Sequence, residues 1–269
     1  MAATTSESQA AAESRLEEVL SGADLSLSQE LFDVLGLLDA NASLRRALTD
    51  PSRDAEAKQG LVTQLIGSKV GAATLNVVNA LVASRWSNER DLGDTLEHLA
   101  ALAAVAVAER DGADGLDALQ AQLLGFVDLV KADHDLLWAF EDRSATAQAK
   151  AELATTLVPN ATEAARSLIT RAVTDPRGLR PTDLVERFAQ VAARRQRRWI
   201  ATVSATRPLT QEQADRLLAG LNALYGRELR LNVVIDRTLV GGLRVEVGDE
   251  VVDATAATRL AELRRRMAG

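Results

Sequence analysis

Two histidines with acidic neighbours are the first residues in this chain that could support chemistry. His98 follows Glu97, and His134 lies between Asp133 and Asp135. A histidine beside carboxylates can bind a metal ion or exchange protons, but neither histidine has the His-x-x-x-His type of spacing that metal ligands on a helix require. We interpret both as solvated residues at helix ends, and we predict no metal site and no acid–base pair at either position.

Three aspartates near the C-terminus are a second candidate for chemistry. Asp236, Asp249 and Asp253 could hold a cation, but they fall at predicted strand ends and turns, where aspartate accepts hydrogen bonds from its own backbone. The glycine-flanked segment Gly67–Gly71 lacks the residue order of a phosphate-binding loop, and no Gly-x-Ser-x-Gly elbow is present. The sequence therefore predicts no catalytic residue and no cofactor.

The stretch that contains these aspartates has the two-residue periodicity of strands. Apolar and polar residues alternate from Leu229 to Ile235 and again from Leu243 to Val247. Gly248 and Asp249 then predict a two-residue hairpin turn, and the pair Gly241-Gly242 predicts a bulge or a close approach of another backbone. Residues 255–267 return to helical spacing. With a strand at 199–205 and a helix ending at Gly226, residues 199–269 are predicted to form a small α+β domain.

The preceding part of the chain reads as helices and repeats itself with an offset of 92 residues. Examples of matched pairs are Leu31 with Leu123, Asp50 with Asp142, Ser52 with Ser144, Lys58 with Lys150, and Asp91-Leu92 with Asp183-Leu184. We interpret this register as a tandem duplication of a helical bundle. Copy one is predicted to span residues 1–98 and copy two residues 99–198. The alanine-rich helix 92–110 is predicted to serve both copies. The predicted fold class is mainly α, with the small α+β domain at the C-terminus.

Some helix ends are marked in the sequence. Ser26 with Gln29, and Thr210 with Gln213, have the spacing of a capping box, which predicts the start of a helix at each place. Proline after Asp50 predicts the end of a short helix.

Composition and charge limit the function classes. Residues 1–40 carry eight acidic side chains against one basic, and residues 177–230 carry eleven basic against five acidic. These regions are either solvated helix faces or surfaces for different partners. The basic run Arg194–Arg198 has only Trp199 as an aromatic neighbour, so we do not expect nucleic-acid binding. The chain has no cysteine, which fits a reducing compartment, and no apolar segment long enough for direct membrane insertion.

The run from Asp236 to Asp253, followed by Arg259 and Leu260, resembles the C-terminal signature of the delta subunit of F-type ATP synthases, a family homologous to the mitochondrial oligomycin-sensitivity-conferring protein. The signature positions in this chain are Asp236, Gly241, Gly242, Gly248, Asp249, Asp253, Arg259 and Leu260. Two positions depart from the family pattern, which has proline where this chain has Arg237 and Gly-Ser where it has Ala254-Thr255. The family has one helical bundle, so this chain resembles its longer, actinobacterial-type version, with residues 1–98 as the additional copy.

The resemblance implies a non-catalytic stator subunit in the peripheral stalk, at the cytoplasmic face of the cell membrane. It also implies two partners: the bundle would hold N-terminal helices of alpha subunits, and the C-terminal domain would engage the C-terminal end of the b subunit. The subunit would then resist rotor torque so that rotation drives ATP synthesis. Two alternatives remain open, a helical adaptor or scaffold with another partner and an enzyme with an unrecognised site.

Overall fold

The computed structural model describes residues 2–226, 228–239, 242–248 and 250–253. They form two compact units. The helical unit contains the residues up to Arg110 together with Ala118–Ala192, and the C-terminal unit contains Asp111–Asp117 together with the residues from Ala193 onward. Twelve α-helices and four strands are described. The helices are α1 (Ala2–Leu20), α2 (Leu25–Ala40), α3 (Ala42–Thr49), α4 (Ala55–Ile66), α5 (Ala72–Ala83), α6 (Glu89–Ala108), α7 (Gly112–Ala132), α8 (His134–Glu141), α9 (Ala147–Leu157), α10 (Glu163–Thr174), α11 (Pro181–Arg197) and α12 (Gln211–Tyr225).

The helices of the two predicted copies agree in number and in order, as the sequence repeat predicts. Shifting α3 by 92 residues gives the bounds of α8, and shifting α4 gives the first residue of α9. The turns repeat as well, because Asp50 accepts hydrogen bonds from Ser52 N and Oγ, and Asp142 accepts the same two from Ser144. An aspartate that pairs with the residue two positions on stabilises such a turn locally.

The alanine-rich helix α6 lies at the centre of the helical unit. It packs against α1, α2, α3 and α5 of copy one and also against α10 of copy two. All residues from Leu99 to Ala106 are buried, so this part of the helix is covered on every side. Small side chains allow such close approach from several helices at once. That this helix serves both copies stays a prediction.

Helix ends mostly follow the signals in the sequence, with one exception. Proline after Asp50 ends α3 at Thr49, and α12 has the predicted Thr210/Gln213 capping box and a left-handed Gly226 cap. A capping box of Ser26 and Gln29 was expected before α2, but this prediction is wrong. The helix begins one residue before Ser26, at Leu25, and Asp24 is the N-cap because its carboxylate accepts a hydrogen bond from Ser26 N.

The C-terminal unit contains a four-stranded sheet and one helix that is described in full, α12, together with the start of α7 and the end of α11. Its strands are β1 (Ile200–Ala205), β2 (Arg230–Ile235), β3 (Leu243–Val247) and β4 (Glu250–Asp253). The strand order is β2-β1-β3-β4, with β1 and β2 parallel and the other pairs antiparallel. The core of the unit consists of Ala201, Val203, Leu221, Leu229, Val245 and Val247. The predicted fold class is confirmed. The division into domains at residues 98/99 and 198/199 stays a prediction.

Candidate interaction surfaces

Asp236, the first signature residue, forms a local turn at the end of β2. Its carboxylate accepts hydrogen bonds from Thr238 N at 2.9 Å and from Thr238 Oγ1 at 2.6 Å. These two bonds stabilise the ionised form and hold the pKa of Asp236 below its ordinary value. The residue therefore has the turn-forming role predicted from the sequence, and its Oδ1 accepts both bonds from the chain itself.

Two signature glycines have backbone conformations that other residues rarely adopt. Gly242, directly before β3, has φ of 84°, and Gly248, in the turn between β3 and β4, has φ of 61°. A Cβ atom at Gly248 would also lie 3.3 Å from Arg198 Cγ. The predicted hairpin is present, since Val247 pairs with Glu250 across a two-residue turn. Glycine is needed at both places for backbone geometry.

The remaining signature residues are only partly described. Asp253 ends β4 opposite Arg244 of β3, at a strand end as predicted. Gly241, Asp249, Arg259 and Leu260 lie outside the described residues, and so does the predicted helix at 255–267. The described signature residues therefore shape turns and strand ends, which positions the sheet for contacts made by its other residues.

Strand β2 carries a run of exposed apolar residues in the C-terminal unit. Val233, Val234 and Ile235 are 37%, 43% and 51% exposed, and they are consecutive, so both faces of the strand are apolar and open. Among the described strands β2 pairs only with β1, which leaves it at the edge of the sheet. An exposed apolar edge strand is a site for association with another chain.

A cleft of about 770 Å³ lies beside the end of β1 and the start of α12. Its apolar lining includes Leu209, Leu217 and Leu243, and its charged lining consists of Arg207 and Arg216. All three leucines pack against the edge of the core, so the cleft continues the core to the surface. This combination suits a partner helix with an apolar stripe and acidic flanks.

An ion-pair network of the C-terminal unit was not anticipated from the sequence. Arg230, at the start of β2, pairs with both Asp114 and Asp117 at the beginning of α7, and Gln196 donates to Asp117. The hydrogen bond to Asp117 raises the pKa of Arg230 above its ordinary value. Because these residues are about 80 to 116 positions apart, no local pattern signals the contact.

Arg177 forms a second network, within the helical unit. Its Nε lies 2.6 Å from Asp39 of α2, and its Nη1 lies 3.1 Å from both Asp94 and Glu97 of α6. The side chain is only 11% exposed, and the backbone φ of 49° is unusual for a residue other than glycine. Burial lowers its pKa, but the bonds to Asp39 and Glu97 outweigh burial and raise it. This side chain joins copy two to copy one.

One of the two histidines has its predicted place, and the other does not. His134 is exposed at the first position of α8, as predicted. His98 is not a solvated helix-end residue, because it lies in the middle of α6 and its Nε2 is 3.0 Å from Glu13 of α1. Among the described residues no group of three or more histidines, aspartates or glutamates is arranged to hold a metal ion.

No described helix has both the length and the apolar character needed to cross a membrane. Two surfaces of the C-terminal unit are suited to protein contacts by their own composition: the exposed apolar edge of β2 and the cleft lined by Leu209, Leu217 and Leu243.

Comparison with known proteins places this architecture in a family. Residues 96–267 match the family described as ATP synthase delta (OSCP) subunit. Proteins called ATP synthase subunit delta from Pseudarthrobacter chlorophenolicus and Arthrobacter sp. strain FB24 are each 52% identical over all of both chains. A protein of the same name from Renibacterium salmoninarum is 50% identical, also over all of both chains.

The chain therefore belongs to the ATP synthase delta (OSCP) family, in its long actinobacterial version. It is a non-catalytic, peripheral-stalk subunit of an F-type ATP synthase. The exposed apolar edge of β2 is the kind of surface that a subunit of a larger complex presents to other proteins.

Proposed function

We propose that this chain links the catalytic head of the ATP synthase to its stalk, at the cytoplasmic face of the cell membrane. The helical bundles hold the N-terminal helices of alpha subunits, and the C-terminal unit engages the C-terminal end of the b subunit. The linkage keeps the head from turning with the rotor, so that proton-driven rotation is converted into ATP synthesis.

The observation that carries this proposal is the exposed apolar surface of β2 beside the arginine-flanked cleft. A sheet edge with Val233, Val234 and Ile235 open to solvent is costly for a chain that acts alone, since apolar surface of this kind is stabilised by burial. An amphipathic helix from the stalk would cover the apolar residues and place its acidic flanks near Arg207 and Arg216.

The helical unit supports the other half of the linkage by its construction. Its central helix, α6, contacts helices of both copies, which gives a continuous packed body instead of two loosely tethered bundles. A stator must resist torque without deforming, and close-packed interiors have low compressibility. The alternative, an adaptor with other partners, makes the same demand for stiffness but does not predict binding to alpha and b.

Gly242→Val tests the assignment of partners to units. Valine at φ of 84° adds backbone strain of about 1–3 kcal/mol directly before β3. We expect weaker binding to a C-terminal fragment of b and nearly unchanged binding to an N-terminal peptide of alpha, both measured by calorimetry on the full chain.

The matched control is Gly220→Val, in α12, where no atom lies within 4 Å of the added Cβ. It should leave binding of both partners intact. Loss of alpha binding with b binding retained would reverse the assignment, and equal loss of both would indicate one cooperative unit. Failure of the unmodified chain to bind alpha or b would favour the adaptor alternative.

A further inference from the structure

The helical unit contains a cleft of about 720 Å³ to which no function has been assigned. We name it the copy-two cleft. It lies between the end of α8, the start of α9 and the segment that leads into α11. Its lining includes Phe140, Arg143, Lys150, Gly178, Leu179 and Arg180.

The internal repeat shows what is unusual about this cleft. At the positions equivalent to Arg143, Gly178 and Arg180, copy one has Pro51, Trp86 and Asn88. Trp86 is buried, and its Nε1 donates to Leu81 O at 2.9 Å. Copy one therefore has a bulky indole in its own interior where copy two has glycine, and it lacks both arginines.

The lysine that both copies have at equivalent positions also differs in its exposure. In copy one Lys58 is buried, and desolvation lowers its pKa. In copy two the equivalent Lys150 is half-buried, and its Nζ donates to Phe140 O at 2.8 Å. The site is closed in copy one and open in copy two, with the apolar Phe140 at its inner end.

The charges around the cleft are arranged to attract carboxylates. Arg143 is exposed and forms no ion pair within the described residues, and Arg180 is 69% exposed with one acid, Glu141, at 3.4 Å. The helices α9 and α11 both begin at the cleft, and a helix N-terminus adds partial positive charge. Three cations against one acid leave the lining with a net positive charge.

We propose that the copy-two cleft binds an acidic segment of a partner protein that carries one bulky aromatic side chain. The aromatic ring takes the space beside Gly178 and Leu179, where the residue of copy one equivalent to Gly178 is the buried Trp86, and flanking carboxylates pair with Arg143 and Arg180. This is a contact surface in addition to the proposed contacts with alpha and b, and it does not depend on them.

The test uses the full chain and two blocked tripeptides, acetyl-Asp-Trp-Asp-amide and acetyl-Asp-Ala-Asp-amide, followed by amide NMR and calorimetry. We expect the tryptophan peptide to shift the amide signals of Ala145, Ala147, Gly178 and Leu179. The double variant Arg143→Glu/Arg180→Glu should weaken its binding at least tenfold. The control Arg53→Glu, an exposed arginine of copy one, should leave it unchanged.

Three results would overturn the proposal. Equal binding of the alanine peptide would show that no aromatic group is recognised, and equal binding to the double variant would place the site elsewhere. Indole-3-acetate binding as tightly as the tryptophan peptide would indicate a pocket for small anions instead of a protein segment. Should the double variant fail to fold, Arg143→Gln provides the same comparison, since it only removes the charge of an exposed side chain.

Discussion

The two bundle copies share a framework and differ on their faces. Each copy has a clamp between its second and fifth helices: Glu30 of α2 accepts from Gly71 N at 2.9 Å, and its equivalent Gln122 of α7 accepts from Thr162 N at 2.9 Å. The faces have diverged. Phe32 is 4% exposed beneath Arg171, whereas its equivalent Leu124 is 38% exposed.

The residues that differ between the copies allow an ion-pair contact from copy two to copy one, but not the same contact from a further copy to copy two. Arg177 of copy two reaches Asp39 and Glu97 of copy one, but the positions equivalent to these acids in copy two are Lys131 and Ala189. A further copy could not attach to copy two in the same way. Head-to-tail contacts that do not close generate open assemblies. Lys131 and Ala189 therefore keep copy two from offering the acidic site through which another copy could attach.

The substitution with the largest expected effect on stability tests whether the two copies unfold together through helix α6. Leu99→Ala in α6, at a site with no exposure, should cost about 2–5 kcal/mol of unfolding free energy. Because α6 packs on α2 and α10, amides in both helices should lose protection by the same amount in native-state hydrogen exchange.

The equivalent position in copy two provides the control. Val191→Ala, in α11, should cost about 1–2 kcal/mol, since valine loses fewer buried carbon atoms than leucine does. If Leu99→Ala lowers protection in α2 but not in α10, the copies unfold independently.

A smaller loss is expected from the ion-pair network that joins the copies. Arg177→Met removes the cation that Asp39, Asp94 and Glu97 share and should destabilise the chain by roughly 2 kcal/mol. The loss is smaller than for a fully buried pair because Asp39 and Asp94 are partly exposed and keep Arg45 and Arg90 nearby. Arg85→Met, at the equivalent exposed position of copy one, should stay within about 0.5 kcal/mol. Urea titration measures both, and equal effects would remove Arg177 from its joining role.

Helix caps should show no difference between the copies. Asp54 caps α4 through Ala57 N, and its equivalent Thr146 caps α9 through Ala149 N. Replacing either by alanine should cost about 1 kcal/mol in urea titrations, because each change leaves one helix N–H without its partner. A much larger loss at one cap would mean that the frameworks are less alike than their helix bounds indicate.

The smallest effect concerns the repeated turn. Hydrogen bonds from Ser52 and Ser144 hold the pKa values of Asp50 and Asp142 below the ordinary 3.8. A depressed pKa means that this contribution to stability is present above 3.8 and lost as the pH falls through the folded value. Ser52→Ala should raise the pKa of Asp50 and leave that of Asp142 unchanged, as followed by carboxyl NMR. A shift at both would contradict independent turns.

Local signals in the sequence predict most of the framework. The 92-residue register anticipates the helix order, proline after Asp50 anticipates the end of α3, and Gly226 anticipates the end of α12. Each of these depends on residues close together in the chain. The one capping error has the same local origin: Asp24 and Ser26 are both good N-cap residues, and spacing alone does not decide between them.

Contacts between residues far apart in the chain could not be predicted from local sequence patterns. Arg177 meets acids 80 to 138 positions away, and it does so from a left-handed backbone conformation that no residue pattern announces. His98 was misjudged because its partner, Glu13, belongs to a different helix. Of the C-terminal signature, the turn at Asp236 was predictable, whereas the open surface of β2 depends on which strand lies at the sheet edge.

The shared helix α6 also limits how such a chain can shorten in evolution. Glu7 of α1 and Leu99 of α6 are equivalent residues, so recombination between their codons would delete one period of 92 residues and fuse the start of α1 to the end of α6. The fused helix would keep the part of α6 after Leu99 and would be followed by α7 to α11, which together are the helices of one complete bundle. A deletion that ended at the start of α7 would instead remove the first helix of the remaining bundle. A deletion of one 92-residue period therefore leaves a complete bundle, whereas a deletion of everything up to the end of α6 does not.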